Sequence, residues 1–182
     1  MTTKTKKILL VCALALLAAV LLFFGYKKGV ELYNTKNAEE LFSAGDYAGA
    51  RAWYEKNGSA GDIARCDYEL NREAYEAAEA QLAAGEYDAA RLAFEALGDF
   101  EDAADRALEC SFLKARALTD AGSYTGALDV LAVLPEGYAG AEELTEDAKE
   151  GLYQQALAAT YECRMDEAIM LWNNLGSYKD SD

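Results

Sequence analysis

The sequence predicts an all-α protein in which one transmembrane helix precedes a solenoid of helical hairpins. Three observations lead to this prediction. The 182 residues include a single proline, Pro135, so long helices are not interrupted. An apolar run occupies the N-terminal region, and a six-residue pattern built on glycine and tyrosine recurs through the rest of the chain. No segment has the alternating pattern that is typical of a β-strand.

The N-terminal apolar segment extends from Ile8 to Phe24 and contains 17 residues without a charge. As an α-helix it would be roughly 25 Å long, close to the thickness of the hydrocarbon core of a bilayer. Lysines precede and follow the segment, and aromatic residues stand at its C-terminal end, as in many membrane spans. We therefore predict a single-pass anchor in the lipid bilayer within residues 1–28 and an α-helical repeat domain at 29–182.

Two other interpretations of this segment stay open. A cleaved signal peptide is disfavoured because the run ends in two phenylalanines, Gly25 and Tyr26 rather than in small residues. A lipoprotein signal is disfavoured because Val11 is not small and Cys12 stands near the start of the run.

The charges around the segment predict its orientation. Three lysines and the α-amine precede it, whereas two lysines follow it. The positive-inside bias places the N-terminus in the cytoplasm and the repeat domain outside the cell membrane.

The domain that follows the anchor is strongly acidic. After Lys28 the chain has 12 basic and 32 acidic residues, a net charge of −20. This charge repels phosphate backbones and anionic lipid head groups, so no nucleic-acid partner is expected. The acidity favours a soluble surface, and recognition of a basic partner is the alternative.

The composition favours a protein without catalytic activity, bound metal or cofactor. The sequence has no histidine, and its four cysteines are far apart and form no C-x-x-C pair. Serine–histidine and cysteine–histidine dyads are therefore excluded, and no phosphate-binding glycine motif is present. Carboxylates are plentiful, which leaves a carboxylate-dependent hydrolase as a less favoured alternative.

A pattern at residues 45–50 recurs at 85–90, at 122–127 and, in degenerate form, at 163–168, with steps of 40, 37 and 41 residues. Four columns of residues keep these steps. They are an alanine column (Ala38, Ala78, Ala115, Ala156), a bulky column (Tyr54, Phe94, Leu131, Trp172), a first-helix column (Thr35, Tyr75, Phe112, Tyr153) and a last column (Asn57, Leu97, Leu134, Leu175). The shared steps predict about four helical hairpins, at approximately 33–71, 72–110, 111–149 and 150–182.

Each copy of the pattern predicts a helix–turn–helix joint. The glycine takes the left-handed conformation that ends the first helix, and the tyrosine two positions later packs between the two helices. Alanines at the crossing points let the helix axes approach closely. In the join between copies, Gly98 stops one helix and Asp99 or Asp102 caps the next, and similar joins lie at 61–62 and 175–181.

These signals together predict the extent of each helix. The anchor helix covers about 6–28 and can continue into 31–44. The further helices are expected at 47–56, 62–84, 87–96, 102–121, 124–133, 139–162 and 165–174.

The glycine–x–tyrosine turn, the alanine three residues later, the small residue of the first helix and the aromatic residue of the second resemble the tetratricopeptide repeat (TPR) family. The resemblance covers about Tyr33 to Asp182, and it is greatest to the divergent repeats of membrane-anchored bacterial proteins with an LGxYxDA or LGxYxDS signature. The steps are longer than the family's roughly 34 residues, and the proline that often closes a repeat is absent. The resemblance implies a right-handed TPR-like solenoid with a concave protein-binding surface.

The same resemblance implies a membrane-anchored scaffold for protein–protein interaction, with a protein or peptide partner and no catalytic activity of its own. In this family the first helix of each hairpin lines the concave face, which makes Tyr75, Phe112 and Tyr153 candidate partner-binding residues. Arg116 on the same helices is a candidate for pairing with a partner's carboxylate. Ordinary core packing is the favoured interpretation of the aromatic residues, with partner binding as the alternative, and Arg116 is equally consistent with a solvated charge.

The last predicted hairpin lacks a following capping helix, because residues 175–182 match only the start of another join. Either the chain is truncated, or this open end packs on a partner or on a second copy. Self-association through the C-terminal hairpin supports an alternative function, that of a structural, self-assembling element of a cell-envelope complex.

Overall fold

The computed structural model describes residues 3–179, and within this range the protein is entirely helical, with eight α-helices and no strand. The prediction of an all-α protein is therefore confirmed for the described residues. In chain order the helices are α1 (Thr3–Ser43), α2 (Tyr47–Asn57), α3 (Ala60–Ala83), α4 (Tyr87–Leu97), α5 (Ala103–Asp120), α6 (Tyr124–Leu131), α7 (Ala141–Tyr161) and α8 (Met165–Leu175). The chain forms two compact units, Met1–Arg72 and Glu73–Asp182, and the division falls within α3.

The predicted helix ends agree with the structure to within two residues from α2 onward. The predicted anchor helix and the predicted helix at 31–44 form one continuous helix, α1, because no proline intervenes and Gly25 and Gly29 keep helical backbone. The predicted last join at 175–181 extends to Asp180 and Ser181, which lie outside the described residues.

Among the described residues, α1 is the one helix that is long and apolar enough to cross a membrane. Its qualifying part, Leu10–Ser43, reaches a mean hydropathy of 2.3, and none of that window is buried in the protein. This result supports the predicted span from Ile8 to Phe24, although the side chain of Ile8 is outside the described part. A signal sequence meets the same criterion, so a cleaved segment remains the alternative.

Polar contacts fasten α1 to α2 where α1 leaves the apolar segment. The Asn34 side chain is buried and donates a hydrogen bond to Asn57 Oδ1 at 2.9 Å. Asn57 donates in turn to the Glu31 carbonyl group and to Thr35 Oγ1, each at 3.0 Å. Asn57 occupies the last column, which holds leucine in the later copies, and here hydrogen bonds replace an apolar contact.

Tyr54 is the large side chain that is fully buried in the core of Met1–Arg72, and its hydroxyl group is hydrogen-bonded. The fully buried residues of this core are Ala38, Ala50, Tyr54 and Cys66. The Tyr54 hydroxyl group donates to Glu39 at 2.5 Å and accepts from Arg65 at 3.0 Å. Burial, helped by the hydrogen bond to Glu39, raises the pKa of Tyr54 to about 12.

Alanine dominates the core of Glu73–Asp182 as well. Every residue of the alanine column is fully buried, as are Ala90, Ala103, Ala148 and Ala159. Phe94 and Leu152 are the large apolar side chains that are completely buried in this unit. Small buried side chains of this kind allow helices to approach closely.

The turns between paired helices have the predicted left-handed backbone. The φ angles are +82° at Gly45, +78° at Gly85 and +74° at Gly122, and the degenerate copy has +57° at Cys163. Because Cys163 carries a Cβ atom, this conformation costs about 1–2 kcal/mol there. The prediction that these positions reverse the chain is confirmed, including the copy without glycine.

The turn tyrosines pack in two ways. The Tyr47 ring lies 5.0 Å from the Phe42 ring of α1, within its own helix pair as predicted. The Tyr124 ring lies against Gly151 of α7, where an added Cβ atom would overlap the ring. This tyrosine therefore packs on the helix that follows its own pair.

The joins differ from the prediction in how their aspartates are used. Asp102 stands at the N-cap position of α5, but its side chain makes no capping hydrogen bond. It accepts a hydrogen bond from the Tyr75 hydroxyl group instead. Asp62 lies inside the first turn of α3 rather than before it. The prediction that the side chains of Asp102 and Asp62 cap their helices is therefore wrong. The carboxylate of Asp102 is hydrogen-bonded to a residue that is distant in the sequence.

Candidate functional site

An open groove between α5 and the segment that joins α6 to α7 is the candidate site. Its volume is about 510 Å³, and all of its residues belong to Glu73–Asp182. The lining residues are Asp102, Asp105, Arg106, Glu109, Phe112, Leu113, Arg116, Tyr138 and Ala139. Two of the four residues that the sequence singles out, Phe112 and Arg116, line this groove.

Phe112 and Tyr138 form the apolar floor of the groove. Their ring centroids are 5.5 Å apart, and the ring planes are inclined by 43°. A Cβ atom on Gly140 would lie 3.2 Å from the Phe112 ring, so the backbone of the joining segment approaches this ring closely. Burial raises the pKa of Tyr138, and the nearby Glu109 and Asp105 add to the effect, so its hydroxyl group is neutral at pH 7.

The charge of Arg106 in the groove is neutralised within the protein. Its guanidinium group contacts Glu79 of α3 at 2.5 Å and also pairs with Glu109 of α5. Glu79 and Glu109 raise the pKa of Arg106 against the opposing effect of burial. Arg106 therefore joins α3 to α5, and its guanidinium group is already paired with two carboxylates of the protein.

Arg116 differs from almost every other basic residue of the acidic domain. Of the 12 basic residues after Lys28, ten lie within ion-pair distance of a carboxylate. The exceptions in the described part of the chain are Lys56, which stands 3.3 Å from the centroid of the Trp53 ring, and Arg116. Arg116 is exposed, and its guanidinium carbon is 5.8 Å from the centroid of the Phe112 ring.

Tyr75 lies outside the groove and packs within its own helix pair. Its ring is 5.2 Å from Phe94 and 6.2 Å from Phe100, and its hydroxyl group donates to Asp102. This hydrogen bond, together with burial, raises the pKa of Tyr75 to about 12.

Tyr153 also lies outside the groove. Its ring is 5.3 Å from the Trp172 ring and 6.4 Å from the Tyr178 ring, and the Lys179 ammonium group is 5.0 Å above it. The structure thus brings Phe112 and Arg116 together and places Tyr75 and Tyr153 in separate aromatic clusters.

The residues that the sequence analysis did not single out are the aromatic residues of the joins. Phe100, Tyr138 and Tyr178 each pack on the aromatic residue of the first-helix column in the same predicted hairpin. The recurring Leu-Gly-x-aromatic sequence at 97–100 and 175–178 was a signal for this contact. Its glycine and aspartate suggest helix capping, whereas its aromatic residue supplies the packing.

A second groove, of about 450 Å³, lies among α4, α5 and α6. Its basic side chains have partners within the groove, because Lys114 contacts Asp88 at 2.7 Å and Arg91 contacts Glu95 at 2.5 Å. The groove at Phe112 is the better candidate, since it contains a cation without a carboxylate partner.

The cysteines and carboxylates offer no metal site in the described range. No group of three or more histidine, cysteine, aspartate or glutamate side chains there is arranged to hold a metal ion. Cys66 and Cys110 are buried, and burial raises the pKa of both thiols, whereas Cys12 and Cys163 are exposed.

We expect Tyr75→Phe to reduce the loss of stability at alkaline pH. The hydroxyl group of Tyr75 ionises at about 12 in the folded protein but near 10 in the unfolded chain, so its contribution is complete below pH 10 and is lost as the pH rises through 12. The variant should lose about 1 kcal/mol of unfolding free energy at pH 7 and show a shallower decline from pH 10 to 12. Chemical unfolding of the full chain in detergent measures both quantities.

Tyr161→Phe is the matched control, because Tyr161 is 83% exposed. It should leave both the stability at pH 7 and the alkaline decline unchanged. An alkaline decline in Tyr75→Phe as steep as that of the unsubstituted protein would contradict the assignment of this hydrogen bond.

Comparison with known proteins adds no relative to these observations. No family model, curated protein or solved structure matches the chain. Its function is therefore inferred from the long apolar helix α1 and from the side chains of the groove.

Proposed function

We propose that this chain is a single-pass, membrane-anchored, TPR-like scaffold that binds a protein or peptide partner and has no catalytic activity of its own. The anchor lies at Ile8 to Phe24, the N-terminus is cytoplasmic, and the repeat domain is extracytoplasmic. The recurring pattern, with its buried alanine column and left-handed turns, supports the TPR-like arrangement.

The observation that carries the binding role is the exposed, carboxylate-free guanidinium group of Arg116 beside the Phe112–Tyr138 floor. In a domain of net charge −20, a basic side chain without an acidic partner is uncommon, and here it borders an apolar surface. Arginine beside an aromatic surface is typical of protein–protein contacts. Arg116 is thus available to a partner, whereas Arg106 next to it is not.

Site-specific photo-cross-linking tests the binding role. A photoreactive phenylalanine analogue at Leu113, which lines the groove, should capture a defined protein in native membranes. The same analogue at Leu92, an exposed residue of α4 outside this groove, is the matched control and should not capture it. Adding Arg116→Glu to the Leu113 variant should reduce the capture severalfold, because it places a like charge where the partner's carboxylate is expected.

Equal capture from Leu113 and Leu92, or capture that is indifferent to Arg116→Glu, would contradict a binding role of the groove. Both photoreactive positions are occupied by leucine in the natural sequence, so an aromatic analogue perturbs them to a similar extent.

The exposed thiol of Cys163 allows the membrane orientation of the chain to be measured. Cys163 is exposed, whereas Cys66 and Cys110 are buried and Cys12 lies in the apolar segment. An impermeant maleimide added to intact cells should therefore label the protein at Cys163, and Cys163→Ser should abolish that labelling. Labelling that requires cell lysis would place the repeat domain in the cytoplasm and overturn the proposed orientation.

A second candidate function is a structural, self-assembling element of a cell-envelope complex. It is favoured by exposed apolar side chains on α8, where Met165, Ile169 and Met170 are each 54–60% exposed. Leu128 of α6 occupies the equivalent position in the preceding copy of the pattern, 41 residues before Ile169. It packs against the core that includes Leu152 of α7. The uncovered face of α8 would then receive a helix of a second copy.

Sedimentation of the full chain in density-matched detergent distinguishes this candidate. Self-assembly predicts a dimer or larger species that Ile169→Glu converts to a monomer. Val133→Glu is the matched control, because Val133 is 72% exposed and lies outside α8. A monomer at all concentrations before substitution would eliminate the second candidate.

A further inference from the structure

The groove-lining residues of α5 form a straight stripe with charges at its ends. Asp105, Glu109, Phe112 and Arg116 are spaced by four, three and four residues, which places them on one face of the helix. Eleven residues separate Asp105 from Arg116, so they stand three turns, or about 16 Å, apart.

The two ends of the stripe carry opposite charges, and neither charge is paired within the described part of the protein. Asp105 and Arg116 are exposed, and neither forms an ion pair with any residue of the described range. Asp102, whose carboxylate already accepts from Tyr75, adds negative charge near the first end. Between the ends, Glu109 pairs with Arg106, which it shares with Glu79, and the floor is aromatic.

The distance between the two charges specifies the length of an extended occupant. An extended chain advances about 3.3 Å per residue, so four to six residues span the roughly 16 Å between the two charges. A helix, which rises about 1.5 Å per residue, would need about ten residues for the same distance.

We propose that the groove binds an extended segment of a partner protein that carries a lysine or arginine and a carboxylate four to six residues apart. The basic group pairs with Asp105, the carboxylate pairs with Arg116, and an apolar side chain between them packs on Phe112 and Tyr138. This inference rests on the proposed binding role of the groove and specifies the chemistry of its partner. The two unpaired charges of the groove supply the complementarity that selects such a segment.

Peptide binding to the full chain in lipid nanodiscs tests the proposal. The probes are end-capped, fluorescent peptides with one lysine, one central leucine and one glutamate, the charged residues being four to six positions apart in either order. Matched probes replace the glutamate or the lysine by glutamine, and further probes separate the charges by two or by ten positions. Ionic strength near 0.15 M screens the general attraction of cationic peptides to the acidic domain.

The lysine–glutamate probes should bind about threefold to tenfold more tightly than either glutamine probe and than the probes with the wrong spacing. Arg116→Gln should abolish the preference for glutamate and leave the preference for lysine. Asp105→Asn should do the reverse. Lys36→Gln, which removes an exposed positive charge on α1, is the matched control and should preserve both preferences.

The outcomes separate this inference from the proposed function. If photo-cross-linking at Leu113 captures a partner but no probe shows a preference that Arg116→Gln removes, the chemistry proposed for the partner is wrong and the binding role stands. If lysine-only probes bind as tightly as lysine–glutamate probes, the groove is a general acidic surface and the inference fails. If neither a partner nor any probe binds, both proposals fail.

Discussion

The packing of the helices depends on the alanines that are buried at their contacts. Residues of the alanine column have no exposed surface, and few large side chains, among them Tyr54, Phe94 and Leu152, are completely buried with them. The aromatic residues Tyr75, Phe112 and Tyr153 are half-buried at the edge of the core. There each ring packs on an aromatic residue of the join that follows the second helix of the pair. The join therefore contacts the helix pair that precedes it. Core packing and surface recognition are thus not exclusive for Phe112, because its inner side packs while its outer side lines a groove.

Electrostatics distinguishes these three edges from one another. Several basic side chains in the acidic domain bridge neighbouring helices, as Arg51 does to Asp67 and Lys114 to Asp88. Others pair within one helix, as Arg91 does with Glu95. Exposed pairs of this kind contribute at most about 1 kcal/mol each, but they satisfy the cations locally. At Tyr75 and Tyr153 the neighbouring cations are similarly engaged, Arg106 with Glu79 and Lys179 with Glu150. Phe112 alone of these three residues has an unpaired arginine beside it in the described part of the protein.

Local signals in the sequence predict the helices and their turns well and the side-chain pairing around the candidate site only in part. Glycine at a left-handed position ends a helix whatever surrounds it, which is why the turns at Gly45, Gly85 and Gly122 were predictable. Asp102 has a strong local preference to cap α5, yet a tyrosine 27 residues away in the sequence takes its carboxylate. Likewise, neither composition nor spacing distinguishes Arg116 from Arg106, because the difference lies in which carboxylates the folded chain brings near. Side-chain pairing over such separations depends on tertiary geometry, which a single sequence does not display.

The continuous α1 helix makes an acidic domain compatible with the proposed anchor in a bilayer. With the proposed span ending at Phe24, the first acidic residue, Glu31, follows seven residues later, or about 10 Å along the helix. That distance is comparable to the Debye length of about 8 Å at physiological ionic strength, so repulsion from anionic head groups is largely screened where the negative charge begins. Lys27 and Lys28 occupy the intervening turn, where their charge is favourable at the membrane surface. A flexible linker would let the acidic domain return to the surface, whereas an unbroken helix that is fastened to α2 through Asn34 and Asn57 would hold α2 at a fixed distance from the end of the proposed span.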